Sequence, residues 1–93
     1  MEVIHDETSH KIRLKVNPQT VAGYLTYDKL SDEVVEITHT VVPPEFGGKG
    51  YGSVLVKTII EFAQNRDLKV KPTCWFAAAY FDKHPQYQDL LSK

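Results

Sequence analysis

The chain has 93 residues, of which 42% are hydrophobic and 25% are charged, and its formal net charge is -1 at neutral pH. This length supports one hydrophobic core, so we expect a single domain over residues 1–93. The charge balance lacks the basic surplus with which proteins bind nucleic acids or anionic membranes, and we expect neither partner. A single cysteine excludes an internal disulfide framework, and no apolar run is long enough for a signal peptide or a transmembrane helix, so we expect a cytoplasmic protein.

The first half of the chain is rich in strand patterns. Residues 3–5 and 11–16 have β character, and the polar residues between them predict a hairpin turn. Residues 21–27 resume the β-rich composition, with Gly23 at a predicted bulge or close backbone approach. Residues 33–42 are dense in β-branched side chains, which is typical of a central strand.

Helices are predicted in the second half. Apolar residues recur at helical spacing over residues 51–66, and residues 67–74 then form a turn and a short strand. The strand–helix–strand order predicts that this strand lies parallel to residues 33–42. Residues 75–83 predict a short apolar helix, and residues 86–91 one last turn or short helix. The predicted fold class is mixed α+β, with antiparallel strands leading into a β-α-β unit and then one or two short C-terminal helices.

A glycine-rich loop joins the predicted central strand to the long helix, and its sequence from Pro43 to Ser53 is PPEFGGKGYGS. Glycines let the backbone approach a ligand, and the free N–H groups of a first helical turn bind anions. The loop lacks the Lys-Ser/Thr pair that ends a Walker A loop, and it lacks the dinucleotide spacing Gly-x-Gly-x-x-Gly. It therefore indicates an anion site of another kind, with a plain tight turn as the alternative.

Two short motifs follow the central strand in a fixed order. Gly47-Gly48-Lys49-Gly50-Tyr51-Gly52 opens the long helix, and Cys74-Trp75-Phe76-Ala77 with Phe81-Asp82-Lys83 follows the next strand. Together with Thr38-His39-Thr40 before the loop and HPQYQDL at residues 84–90, they resemble the GNAT N-acetyltransferase superfamily. Within that superfamily they look like a very small, single-domain GNAT-like subfamily, and the resemblance covers roughly residues 33–91.

The resemblance implies a reaction and a set of binding residues. It implies that an acetyl group moves from acetyl-coenzyme A, the co-substrate, to an amine. The coenzyme pyrophosphate would lie on the N–H groups of the glycine loop, and the pantetheine arm would run along the end of the preceding strand. The implied coenzyme-binding residues are Thr40, Val41, Val42, Gly47, Gly48, Lys49, Gly50, Tyr51, Gly52, Ser53, Cys74, Ala77 and Phe81.

Two positions depart from the family pattern. Gly47 stands where the family loop begins with Arg or Gln, which leaves phosphate binding to backbone N–H donors. Phe81 stands at the family's tyrosine position, and Tyr80, one residue earlier, points roughly 100° away around a helix. These departures and the small size keep a non-catalytic acyl-coenzyme A binding or sensing module open beside the acetyltransferase. An interaction domain without a small ligand is a third possibility.

Four side chains are candidate catalysts, namely Cys74, His39, Glu36 and Tyr80. Glu36 is a candidate base, acting directly or through a water, but it shares a strand face with Thr38, and a solvated position is the alternative. By strict alternation His39 lies on the strand face opposite Glu36, although a bulge in the strand would change that face. His39 is a candidate proton carrier, with a structural histidine as the alternative. Cys74 is a proton donor or acyl-accepting nucleophile, a coenzyme contact, or an inert core residue.

The acceptor is an amine that the sequence does not identify. A small amine and a protein or peptide are both compatible, because a hairpin stands where larger relatives carry elements of the amine pocket. We expect a monomer or a weak homodimer. The histidines at positions 5, 10 and 84 have no acidic or cysteine partners at metal-ligand spacing, so no metal site is expected. The aromatic residues of the predicted second helix are interpreted as core, with a wall of the acceptor site as the alternative for some of them: Trp75, Phe76, Tyr80 and Phe81.

Overall fold

A computed structural model describes residues 1–92 as one five-stranded sheet with two α-helices. The strands lie in chain order across the sheet: β1 (Glu2–Asp6), β2 (Lys11–Asn17), β3 (Thr20–Lys29), β4 (Val34–Val41) and β5 (Lys69–Pro72). Helix α1 (Tyr51–Asn65) joins β4 to β5, and helix α2 (Trp75–Lys83) follows β5. Short 3-10 helices occupy Pro44–Phe46 and Pro85–Leu90. The predicted α+β fold class is confirmed.

The pairing of the strands follows from the connections between them. Strands β1 to β4 are joined by turns and are antiparallel. Strands β4 and β5 are joined by α1 and are parallel, as the strand–helix–strand order predicts. Gly23 lies beside a register shift between β2 and β3, and a Cβ added to it would lie 3.0 Å from the carbonyl oxygen of Val41. The close backbone approach predicted for Gly23 is therefore present.

The core lies between one face of the sheet, here called the inner face, and the two helices. Alternate strand residues supply its sheet side, and residues at helical spacing on α1 supply the other; the fully buried large side chains are Ile12, Leu14, Leu25, Val35, Ile37, Leu55, Val56, Ile59, Ile60, Val70 and Phe81. The opposite, outer face carries the intervening residues, among them the half-exposed Lys11, Arg13 and Lys15 of β2.

A β-bulge at Thr38 changes the face of the sheet on which the later residues of β4 lie. Ile37 pairs with Tyr27 and His39 pairs with Thr26, so Thr38 is an extra residue in β4. Before the bulge the inner positions are Val35 and Ile37, and beyond it Thr40, which pairs with the buried Leu25, takes the inner face. His39 is exposed on the outer face, the same face as Glu36. The face that strict alternation predicts for His39 is therefore wrong, because the extra residue reverses the alternation.

Two leucines of unequal burial test this description of the core. Leu55 of α1 is 0% exposed, whereas Leu30, in the turn after β3, is 50% exposed. Leu55→Ala should lower the free energy of unfolding by about 2–5 kcal/mol, because the truncation leaves a cavity among buried side chains. Leu30→Ala removes the same atoms from a surface position and should change the free energy of unfolding by about 0.5 kcal/mol or less. Urea denaturation of both variants measures the difference, and equal losses would contradict this core.

Candidate functional site

A cleft of about 410 Å³ opens where β4 runs into the glycine loop. It lies beyond the point at which the parallel strands separate, since the last paired residues of β4 and β5 are Ile37 and Pro72. The end of β4, the loop, the first turn of α1 and the start of α2 form its walls, with the lining residues Thr40, Val42, Phe46, Gly47, Gly48, Gly50, Tyr51, Gly52, Ser53, Cys74, Trp75 and Phe76.

The glycine loop presents free backbone donors to this cleft. Gly48 and Gly50 have φ angles of +76° and +78°, a left-handed conformation that L side chains rarely adopt. Gly50 is the N-cap of α1, and no side chain of residues 1–92 caps that helix. The N–H groups of the first turn are therefore available to an anion. A Cβ added to Gly48 or Gly50 would meet no atom within 4 Å, so the space beside the loop is open.

Gly52 has a different role, which is to bring the two helices together. It is buried in the first turn of α1, and a Cβ added to it would lie 2.7 Å from Cζ of Phe76, in the first turn of α2. Any side chain at this position would push the Phe76 ring away. The N-termini of α1 and α2 therefore meet at the cleft because position 52 carries no side chain.

Cys74 lies at the N-cap of α2 and is half-buried in the cleft wall. Its N–H donates to the carbonyl oxygen of Ile37 at 3.0 Å, and its own carbonyl accepts from the N–H of Ala78 at 3.0 Å. Burial raises the pKa of the thiol, but the backbone of Ala77, the Thr40 hydroxyl and the backbone of Phe76 lower it, and the net pKa is below its usual value. The environment of Cys74 therefore favours the thiolate more than that of an ordinary cysteine does.

The Thr40 hydroxyl indicates whether the cleft suits a polar ligand. Its oxygen is buried and, within residues 1–92, has no hydrogen-bond partner of ordinary geometry, although it lies beside the Cys74 thiol. Buried polar atoms normally have a partner, and an amide or carbonyl group of a ligand in the cleft would supply one. Together with the uncapped N-terminus of α1, this atom makes the cleft suitable for a polar ligand with an anionic group.

Nine of the predicted coenzyme-binding residues line the cleft: Thr40, Val42, Gly47, Gly48, Gly50, Tyr51, Gly52, Ser53 and Cys74. The other four lie elsewhere. Val41 pairs with Tyr24 on the outer face, and Lys49 is exposed beside the loop. Ala77 and Phe81 are buried in the core, because α2 turns these two residues toward the sheet.

The four candidate catalysts are not brought together, and only Cys74 among them lines the cleft. Glu36 lies on the outer face and accepts a hydrogen bond from the Thr73 hydroxyl. His39 is exposed on the same face, with Nδ1 3.3 Å from the Thr26 hydroxyl. Tyr80 is 8% exposed and its ring stacks on His84 at 3.9 Å; burial raises the pKa of its phenol.

Three aromatic residues of the cleft wall were not among the predicted site residues, namely Phe46, Trp75 and Phe76. Trp75 is 80% exposed, so its interpretation as a core residue is wrong, whereas Tyr80 and Phe81 are buried as interpreted. The segment from Trp75 to Phe81 is apolar at every position, so its sequence gives no polar face from which the orientation of Trp75 follows. Its place directly after Cys74, at the start of a helix, is the one signal that points to the cleft.

Two further properties concern residues 1–92 as a whole. No group of three or more His, Cys, Asp and Glu side chains among them is placed to hold a metal ion. None of the helices they form is long and apolar enough to cross a membrane.

Comparison with known proteins identifies the family. Residues 11–90 match the family described as GCN5-related N-acetyl-transferase. The chain belongs to this family. The resemblance seen in the glycine loop and the Cys74 motif is therefore confirmed over most of the chain, including the strands that precede both motifs.

Individual members of the family and its fold extend the comparison. The chain is 30% identical over 93 residues to Protein NATD1 of Xenopus tropicalis, across 98% of this chain and 85% of that protein. A GCN5-like protein from Staphylococcus aureus has a TM-score of 0.78 and 30% identity, over 98% of this chain and 87% of the other. N-acetylglutamate synthase from Neisseria gonorrhoeae, solved with coenzyme A and N-acetyl-glutamate, has a TM-score of 0.61 and 23% identity over 76% of this chain and 18% of its own, which shows the shared fold.

The contribution of Thr40 to the Cys74 thiol can be measured, because Cys74 is the only cysteine. Its alkylation rate, followed against pH, should have a midpoint below that of the same cysteine in the urea-unfolded chain. Thr40→Val removes the hydroxyl that stabilises the thiolate, so the midpoint should move to higher pH. Thr38→Val is the matched control, since the Thr38 hydroxyl bonds Thr26 on the outer face. An unmoved midpoint in Thr40→Val, or equal shifts in both variants, would contradict the assignment.

Proposed function

We propose that this protein is an acetyl-coenzyme A-dependent N-acetyltransferase that moves an acetyl group to an amine. The observation that carries the proposal is the continuity of the cleft, which joins the uncapped N-terminus of α1 to the Cys74 thiol at the N-cap of α2. An anion site at one end and an acid–base group at the other suit a donor with a pyrophosphate and a reactive thioester. Family membership supports this reading.

The residues that would hold the coenzyme follow from the walls of the cleft. The free N–H groups of the loop and of the first turn of α1 would bind the pyrophosphate, with the exposed Lys49 adding positive charge beside them. Thr40 and Val42 would contact the pantetheine arm, and the Thr40 hydroxyl, which has no partner of ordinary geometry within residues 1–92, would gain a hydrogen bond. The coenzyme A present in the related N-acetylglutamate synthase structure supports this choice of ligand.

The chemistry needs one proton removed from the amine and one delivered to the leaving sulfur. Bound acetyl-coenzyme A supplies a thioester whose acetyl carbon the amine attacks, so that a C–N bond forms and the C–S bond breaks. Cys74, in the cleft, would give the proton to the departing thiolate. Glu36, which accepts a hydrogen bond from Thr73 on the outer face beside the separation of β4 and β5, would take the proton from the amine.

The acceptor would approach from the outer face of the sheet. Glu36 and His39 lie on that face, whereas the cleft and Cys74 lie on the inner side. An open sheet surface accommodates the amine of a peptide as well as a small amine. We propose a cytoplasmic site of action, in keeping with the free thiol on which the chemistry depends.

The role of Cys74 is tested by removing its thiol. Cys74→Ala should lower the rate of acetyl transfer by about a hundredfold or more, because the departing thiolate loses its proton donor. Coenzyme A affinity, measured by calorimetry, should stay within about twofold, since the thiol is one contact in a large cleft. Ser31→Ala, in the exposed turn before β4, is the control and should leave both quantities unchanged.

Two outcomes of this experiment would redirect the proposal. An acetyl adduct on Cys74, detected by mass spectrometry after incubation with acetyl-coenzyme A alone, would make Cys74 the acyl-accepting nucleophile in place of the proton donor. Stoichiometric coenzyme A binding with no release of free thiol for any amine in a broad panel would favour the non-catalytic acyl-coenzyme A binding module.

A further inference from the structure

A second cavity, here called the distal pocket, lies at the end of α1 remote from the cleft and has a volume of about 310 Å³. It is bounded by the β1–β2 turn, the β3–β4 turn and the C-terminal end of α1. Tyr51, the first residue of α1, lines the cleft, whereas Arg66, directly after its last residue, lines the distal pocket. The helix therefore separates the two cavities by roughly 22 Å at 1.5 Å per residue. The proposed acetyl transfer gives the distal pocket no role.

The walls of the distal pocket include three aromatic rings, those of His10, Tyr27 and Phe62. The buried Tyr27 hydroxyl is hydrogen-bonded to Nε2 of His5 at 2.6 Å, and the His5 ring meets the Phe62 ring edge-on at 4.6 Å. His10 has a φ of +55°, which residues other than glycine rarely adopt, and its ring stacks on Tyr27 with the centroids 5.1 Å apart. Because the fold holds these rings in place, an aromatic ligand meets a surface that is already formed.

The rim of the distal pocket carries four charged side chains, two acidic and two basic: Glu7, Lys29, Asp32 and Arg66. Nη2 of Arg66 lies 3.3 Å from both carboxylate oxygens of Glu7, and the guanidinium lies over the Phe62 ring at 4.9 Å. This pair is therefore satisfied internally. Lys29 and Asp32 are exposed, and no side chain of residues 1–92 forms a salt bridge with either. The rim thus offers one free cation and one free carboxylate beside an aromatic wall.

We propose that the distal pocket binds a free aromatic α-amino acid as a zwitterion, with its carboxylate at Lys29 and its ammonium group at Asp32. The ring lies against Tyr27 and Phe62. Charge complementarity carries this choice, because a ligand with a single charge leaves one of the two rim groups without a partner. A volume of about 310 Å³ is at the lower end of the range for small-ligand pockets, about 300–1,000 Å³, and suits a ligand of this size.

This ligand is distinct from the amine that the protein is proposed to acetylate. The acceptor approaches the outer face near Glu36, whereas the distal pocket lies on the inner side, where Val35 and Leu68 of the core line it. The inference therefore goes beyond the proposed function and does not depend on coenzyme binding.

Nuclear magnetic resonance titration of the nitrogen-15-labelled protein with L-phenylalanine, in the absence of coenzyme, tests the proposal. Amide signals of residues 7–10, 29–35 and 66–68 should shift and saturate, while those of the glycine loop, residues 47–53, stay unchanged. 3-Phenylpropionate lacks the ammonium group and 2-phenylethylamine lacks the carboxylate, so each should bind about two- to fivefold more weakly. Glycine has both charges but no side chain, and should give no saturable shift.

Two variants separate the two charge contacts. Lys29→Gln should weaken binding of L-phenylalanine and 3-phenylpropionate by about two- to fivefold and leave 2-phenylethylamine binding unchanged. Asp32→Asn should weaken binding of L-phenylalanine and 2-phenylethylamine by a similar factor and leave 3-phenylpropionate binding unchanged. Lys57→Gln on α1 and Asp82→Asn on α2 are the matched charge controls, since both side chains are exposed and lie outside the pocket. The amide spectrum itself verifies that each variant is folded.

The remaining outcomes would overturn the proposal. Equal affinity for L-phenylalanine and both analogues, or unchanged binding in Lys29→Gln and Asp32→Asn, would show that these two side chains do not hold a zwitterion. Shifts confined to the glycine loop and the outer face would make the amino acid an acetyl acceptor. No saturable shift at all would leave the pocket without this ligand. Titration of the same sample with coenzyme A tests the proposed function separately, because it should shift residues 47–53.

Discussion

The cleft depends on the point at which the parallel pairing of β4 and β5 ends. Pro72 has no N–H with which to extend the hydrogen bonding between β5 and β4. The bulge at Thr38 bends β4 directly after Ile37, the residue that pairs with Pro72. The next hydrogen bond between β4 and the chain that follows β5 runs from the Cys74 N–H to the carbonyl oxygen of Ile37. This bond fixes the start of α2 against β4, so the strands separate while Cys74 stays beside the opening. The thiol, the Thr40 hydroxyl and the glycine loop then face one cavity.

The elements were predictable from sequence because their patterns are local. The β-branched density of β4 and the helical spacing of α1 each lie within one segment, and strand–helix–strand order implies the parallel pairing. The face of His39 was not predictable, because the bulge depends on how β4 pairs with β3. The exposure of Trp75 was not predictable for a similar reason. An apolar segment has no polar face, so only the packing of α2 on the sheet determines which side chains are exposed to solvent.

The glycine loop illustrates how far a motif determines a site. Its glycines are equivalent in a sequence pattern but have different physical roles. Gly48 and Gly50 have positive φ angles and open the space beside the loop, whereas Gly52 leaves room for the Phe76 ring. Gly47 has an ordinary φ of -67°, so its backbone does not require glycine. A Cβ at Gly47 would lie 3.2 Å from the carbonyl oxygen of Pro44, so packing, and not backbone conformation, restricts the side chain at this position.

The Gly52–Phe76 contact also has an electrostatic consequence. Because it brings the first turns of α1 and α2 together, the positive ends of two helix dipoles face the same cleft. Neither helix has an acidic residue in its first turn to offset this field. The field at α1 favours an anion, and at α2 the neighbouring backbone of Phe76 and Ala77 lowers the pKa of the Cys74 thiol. One glycine thus links the binding of a phosphorylated donor to the acid–base state of the thiol.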